Sequence, residues 1–214
     1  MSTLAMALAP PRAAAGARVA FRLACAVAGS ALVAGLAQIS FTLPFTPVPI
    51  TGQTLGVLLV GAAYGPGLGA ATLVLYLGWA VAGLPVLAPE PDGSHRTGAE
   101  VLRVASATGG YLWGFVLAAA LTGWLARRGW DRSFRSSIGA MLLGSIVIYG
   151  VGVPWLMAAL DVPLQQGLEL GLYPFVIGDT LKLLAAAGLL PGAWAALPRM
   201  RPPSGPSSPG DREP

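Results

Sequence analysis

Residues 172–190 read LYPFVIGDTLKLLAAAGLL, an apolar run interrupted only by Asp179 and Lys182. About 20 apolar residues are what a helix needs to cross the hydrocarbon core of a bilayer. A charge at the bilayer centre costs roughly 2.5–3.5 kcal/mol on insertion scales, so a span that keeps two of them has a use for them. Residues three apart on a helix share a face, so Asp179 and Lys182 can pair with each other or close together on one ligand. A helix starting near residues 173–174 puts both about two turns in, shielded yet reachable from outside. Two readings stay open: an ion pair that fixes how this span docks on its neighbours, or a polar clasp for a small solute.

The rest of the chain has the same character. Of its 214 residues 55% are hydrophobic and 10% charged, with mean hydropathy +0.68; soluble domains carry about 25% charged residues. This describes an all-α membrane protein: a six-transmembrane-helix bundle in contact with membrane lipid and without a large soluble domain. Cys25 and His95 are the single cysteine and histidine; the first excludes an internal disulfide and a multi-cysteine metal site, and the second argues against a histidine-rich metal centre or a Ser-His-Asp triad. The sequence contains no GxxxxGK[ST], HExxH or GxSxG, and one intramembrane aspartate does not make an aspartyl dyad. The chain reads as no enzyme, with neither cofactor nor metal.

Residues 1–16 form an Ala/Pro-rich tail expected to be poorly ordered. The first span, 17–40, is too long for a cleaved signal. Along it Ala20, Ala24 and Ala28 recur every fourth residue, a smooth stripe for another helix, inside or outside the bundle. Residues 41–52 (FTLPFTPVPITG) hold Pro44, Pro47 and Pro49, which rule out a helix. So apolar a segment is expected to fold back over the bundle as a lid between the first and second spans. Gln53 opens a short apolar segment to residue 64, with its amide free to face a cavity. A Gly-Pro-Gly turn at 65–67 leads to a third span, 68–84, in which Tyr76 and Trp79 read as interface anchors, packing or a stacking surface. The loop 89–106 is polar, and Arg103 lies a few residues before the next span, in reach of a ligand anion or plainly on the surface. Thr108-Gly109-Gly110-Tyr111 opens the fourth span, to 125, with the Tyr111 hydroxyl free to point into a pocket. The fifth span, 138–160, carries Pro154; residues 161–171 read as a short loop; and 198–214 form a second unordered tail after the 17–197 bundle.

Charge orients the spans. Arg12, Arg18, Arg22, Arg127, Arg128, Arg132, Arg135, Arg199, Arg201 and Arg212 fall on one face. The other has only Arg96 and Arg103 among Glu90, Asp92, Glu100, Asp161 and Glu169. The positive-inside rule then puts both termini of this multi-pass chain in the cytoplasm. The net charge of +4 reports that topology and does not point to nucleic acid.

Several segments together resemble one family: TPVPITGQTLGVLLVG (46–61), GLPV (83–86), TGGYLWGF (108–115), GVPWL (152–156) and PFVIGDTLK (174–182) are similar to those of BioY. These are the biotin-binding S components of energy-coupling factor (ECF) transporters, and the likeness covers residues 19–190. The resemblance implies a six-helix S-component fold, biotin held near the outer face under the first loop, a cytoplasmic-membrane location, and partners comprising a transmembrane T subunit and two ATPases. It implies binding roles for Asp179 and Lys182, then for Arg103, Tyr111 and Gln53, and docking of the T subunit on Ala20, Ala24 and Ala28. Biotin suits this set: its ureido ring has two N–H donors and a carbonyl, Asp179 accepts, Lys182 donates, and its carboxylate favours Arg103 or Lys182 at the mouth. The loop before TGGY departs from the family's usual pattern, with Ala107 in place of a proline and more charge. Three alternatives remain: an S component for another vitamin, a membrane scaffold in which Asp179–Lys182 is structural, and a carrier acting without ATPases.

Overall fold

The computed structural model describes residues 3–8, 14–90 and 92–200, the last three by backbone alone. It is a helical bundle. Helix α1 is Leu4–Leu8 and α2 Ala15–Ala37; strands β1 (Ser40–Phe41) and β2 (Ile50–Thr51) follow; then come α3 (Gln53–Tyr64), α4 (Pro66–Val81), α5 (Gly109–Arg127), α6 (Phe134–Leu160), α7 (Leu164–Gly171) and α8 (Val176–Met200). Single 3₁₀ turns occupy Ala99–Leu102 and Tyr173–Phe175.

Four stretches are long and apolar enough to cross a membrane: Ala15–Ala37, Gly109–Arg127, Phe134–Leu160 and Leu164–Leu197, the last taking in α7 and most of α8. Helices α3 and α4 have 12 and 16 residues. At 1.5 Å per residue they reach about 18 and 24 Å, short of a hydrocarbon core of about 30 Å.

Helix α5 is the hub, packed on α6, α3 and α4. Small residues let it come close: a Cβ at Gly61 of α3 would sit 2.7 Å from the Ala119 Cα of α5, too near for any side chain. Helix α2 stands at the edge against α3 and α4, while α8 packs on α6 and α3. On α8 the buried positions Asp179, Leu183, Ala186, Ala187 and Leu190 form one stripe, with Ile177, Leu181, Leu184 and Leu189 exposed opposite. That is the 3.6-residue period of a helix with one face inward. Here the outward face is as apolar as the inner one, as a lipid-facing helix requires.

Some expectations need correction. The chain from Leu4 to Leu8 is helical rather than an unordered tail, because Leu4 finds an apolar seat with Leu58, Ala62, Leu125, Ala126 and Met141. Residues 161–171 are not a plain loop: α7 forms there and packs on α6. The last span starts later than expected. After the 3₁₀ turn at Tyr173–Phe175, α8 begins at Val176, so Asp179 lies in its first turn rather than two turns in. The proline-rich segment is non-helical, as its prolines dictate. Its ends meet as a two-stranded antiparallel ribbon with Ser40 opposite Thr51 and Phe41 opposite Ile50. Helix α8 runs past residue 198 to Met200; Arg12, Arg201 and Arg212, with the remainder of both expected tails, lie outside the described residues.

At the end of the bundle away from the ribbon, Asp131 in the α5–α6 turn is buried, and its Oδ2 accepts from Trp194 Nε1 of α8 at 2.6 Å. The Arg132 guanidinium lies over the Trp194 ring at 3.5 Å. This clamp joins the arginine-rich turn to α8.

Candidate functional site

Beside the ribbon the bundle opens into a cavity with about 660 Å³ of free space, its mouth included. Its walls come from the proline-rich segment (Val48, Pro49, Thr51), α3 (Gln53, Thr54), α5 (Tyr111, Leu112, Phe115), α6 (Ile148, Tyr149), the chain ahead of and within α8 (Phe175, Asp179, Lys182) and the 82–108 connection (Leu87, Ala88, Arg96, Thr108).

Asp179 is the most heavily bonded group. It is only 8% exposed. Its Oδ1 accepts from Lys182 Nζ at 2.7 Å and from Thr54 Oγ1 at 3.2 Å, and its Oδ2 accepts a short hydrogen bond from the Tyr149 hydroxyl. Four elements of chemistry meet here: a cation, two hydroxyls and the N-terminal turn of α8, whose dipole favours an anion. A carboxylate accepts about four hydrogen bonds, so one position stays open to a ligand N–H. Lys182 keeps two N–H donors beyond the one given to Asp179. The pair is therefore both an ion pair and an incomplete one.

An apolar wall faces it. Tyr111 and Tyr149 meet edge to face with centroids 6.2 Å apart, and Phe175 tilts against Tyr149 at 6.5 Å. The Tyr111 ring is seated against Gly152, where a Cβ would run into the ring carbons. Its hydroxyl donates to the Gly171 carbonyl at 2.8 Å. The Tyr111 ring thus lines the cavity, while its hydroxyl, expected to point into a pocket, gives its one proton to the α7 terminus.

Hydrogen bonds also tie down the segments around the mouth. Thr46 Oγ1 donates to the Leu170 carbonyl at 2.6 Å, fastening the proline-rich segment to α7. Trp155 Nε1 donates to the Ser106 carbonyl at 3.1 Å, holding the chain that leads into TGGY. Gln38 Nε2 and His95 Nδ1 both lie within hydrogen-bonding reach of the Leu87 carbonyl, at 3.3 and 2.9 Å.

Of the residues expected at the site, Asp179, Lys182, Gln53 and Tyr111 line this one cavity, and Arg103 does not. Arg103 follows the 3₁₀ turn Ala99–Leu102, is exposed, and lines a neighbouring open pocket with Glu100, Ser106 and Arg96. Arg96, on the other side of that turn and paired with Glu90, lines the cavity instead. Sequence reasoning also passed over Tyr149 and Thr54. A tyrosine in the middle of an apolar span was a signal for the first; Thr54, beside Gln53 in a short apolar segment, gave none. Ala20, Ala24 and Ala28 lie exposed along α2, away from the cavity. No group of three or more metal-ligating side chains occurs among the described residues.

Residues 8–199 match the model of the BioY family. The chain is 32% identical over 153 residues to a protein named biotin transporter BioY from Rhizobium etli, covering 68% of this chain and 78% of the relative. It is 34% identical over 146 residues to a protein of the same name from Thermotoga maritima, covering 68% and 80%. Its fold is similar to a solved structure described as the S-component for biotin from an ECF-type ABC transporter, with TM-score 0.73 and 26% identity over 86% of this chain and 95% of that one. With nearly the whole bundle matched and its cavity lined by residues of three of the motifs that drew the likeness, the chain belongs to the BioY family.

Proposed function

We propose that this chain takes up biotin as the substrate-binding S component of an ECF-type transporter. The observation that carries the reading is the Asp179–Lys182 pair at the wall of a mainly apolar cavity, whose other polar side chains include Thr51, Gln53, Thr54 and Arg96. The open acceptor position on Asp179 suits a ureido N–H, and the remaining donors of Lys182 suit the ureido carbonyl. Tyr111, Tyr149 and Phe175 suit the thioether ring and the aliphatic chain. Arg96 takes the place first expected of Arg103 and faces the ligand carboxylate at the mouth.

In this reading α3 and α4, each too short to span alone, complete a six-helix bundle with the four longer stretches. The proline-rich segment 41–52 serves as lid, since Val48 and Pro49 lie against the cavity and Thr46 is fastened to α7. The arginine-rich face with both termini is cytoplasmic, so the cavity opens outward. The exposed alanines of α2 receive the T subunit, which couples the chain to two ATPases in the cytoplasmic membrane. The chain performs no catalysis, and biotin is cargo rather than cofactor.

Calorimetry on the purified chain in detergent, with biotin, desthiobiotin and riboflavin, tests this. Tight binding of biotin and none of riboflavin is expected without any partner. A folded, monodisperse sample that binds no vitamin would return Asp179–Lys182 to a purely structural role and favour a scaffold; riboflavin binding would name a different cargo.

A further inference from the structure

A chain of hydrogen bonds runs from the cavity wall into the bundle, and its direction is set at its far end. The Val86 carbonyl can only accept, so the Tyr76 hydroxyl 3.0 Å away gives it its single proton. The same oxygen lies 2.5 Å from the end of the Gln53 side chain. Having no proton left, it must accept there, so the Gln53 atom facing it is the amide nitrogen. Thr51 fits the same assignment from the other side. Its Oγ1 accepts from the Gln53 backbone N–H at 3.2 Å and gives its own proton to Gln53 Oε1 at 3.0 Å. The two ends of a glutamine amide are distinguished by their partners, and here both partners agree.

Tyr76 is fully buried, and neither it nor any other residue of α4 lines the cavity. Gln53 does line it, together with Asp179 and Lys182. After Tyr76 and Thr51 are served, Gln53 keeps one N–H and about one lone pair, in a fixed order. We propose that Tyr76 is a positioning residue for recognition: it locks the Gln53 carboxamide so that the cavity presents one defined donor–acceptor pattern to the ligand. A ureido group, with N–H and C=O in fixed alternation, is what such a pattern can read. The same hydroxyl holds the Val86 carbonyl and so anchors the start of the connection that carries Arg96. The inference rests on the biotin reading for its ligand but not for the link between Tyr76 and Gln53.

Two measurements separate these parts. In ligand-free protein, melting temperatures are compared for wild type, Tyr76→Phe, Gln53→Met and the double variant. Side chains joined by a hydrogen bond give a non-additive cycle, and non-additivity is expected. Additivity overturns the link whatever ligand the cavity takes. The second measurement compares biotin with 2-iminobiotin, whose ureido oxygen is replaced by an N–H so that an acceptor becomes a donor. Wild type is expected to prefer biotin strongly. In Tyr76→Phe the amide is free to turn, and the ratio of the two affinities falls about tenfold, a change of about 1.4 kcal/mol in discrimination. If Tyr76 only packs α4, both ligands weaken alike and the ratio stays at its wild-type value, which overturns the proposal. A wild-type chain that binds neither ligand but shows the non-additive cycle sinks the biotin reading and supports the link to Gln53.

Discussion

Asp179 gathers three donors from three different helices, Thr54 on α3, Tyr149 on α6 and Lys182 on α8 itself. It is a junction of the bundle as well as the proposed contact for biotin, so its replacements are expected to act on both. Asp179→Ala and Lys182→Ala are each expected to weaken biotin binding at least tenfold, about 1.4 kcal/mol, in protein that still folds; unchanged affinity in a folded double variant would remove the clasp. The two arginines of the 82–108 connection separate more cleanly. Arg96→Ala should weaken biotin about tenfold yet leave biotinamide, which lacks the carboxylate, unaffected, whereas Arg103→Ala should change neither. A reversed result would return the carboxylate to Arg103. At the opposite end, burial pushes the Asp131 carboxyl above its usual value of 3.8, against the pull of the Trp194 hydrogen bond and the Arg132 charge. The folded chain then holds that proton more tightly than the unfolded one. Its stability from this group rises as pH falls from neutrality through the raised pKa towards about 3.8. Asp131→Asn keeps an acceptor for Trp194 and should be at least as stable as wild type near neutrality, with the difference closing on acidification. Thermal unfolding across pH measures it, and a variant clearly weaker at neutral pH would show that Arg132 outweighs burial.

Among the elements, α5 is the one whose packing tolerates least. Gly61→Val drives a branched side chain into Ala119 and Thr122, an overpacking of the kind that costs about 1–3 kcal/mol; a lowered melting temperature is expected, and an unchanged one would mean that α3 can move off α5. The long spans were legible because an apolar run of that length leaves few alternatives, and the non-helical course of residues 41–52 because three prolines enforce it. The short elements were not. Leu4–Leu8 has five residues, far fewer than a helix needs on its own, and exists because its leucine has a seat in the bundle. Helix α7 carries Gln165, Gln166 and two glycines, a loop-like composition overruled by its packing on α6. At the site, GDTLK was legible as a charge pair in an apolar span. Arg96 and Arg103 were not distinguishable, since a loop has no period to orient its side chains and the 3₁₀ turn between them decides which one meets the cavity.

Taken whole, the molecule has an arginine-rich end and an end that opens to the cavity, and the side of the membrane that each occupies can be tested directly. In a Cys25→Ser background, a cysteine at Asp92 should react in intact cells with a membrane-impermeant maleimide, and one at Arg128 only after the cells are opened; the reverse pattern would invert the proposed orientation. The division of roles among helices has a further consequence. Helix α2, which carries the alanine stripe, gives no side chain to the cavity among the described residues, and the cavity's polar groups sit on α3, α5, α6, α8 and the connecting segments. Inheritance can therefore act on the two surfaces separately. If the T subunit docks on α2 as proposed, substitutions that retune cargo preference need not disturb that docking, and a lineage can exchange one machine for another along the helix while the cargo stays the same.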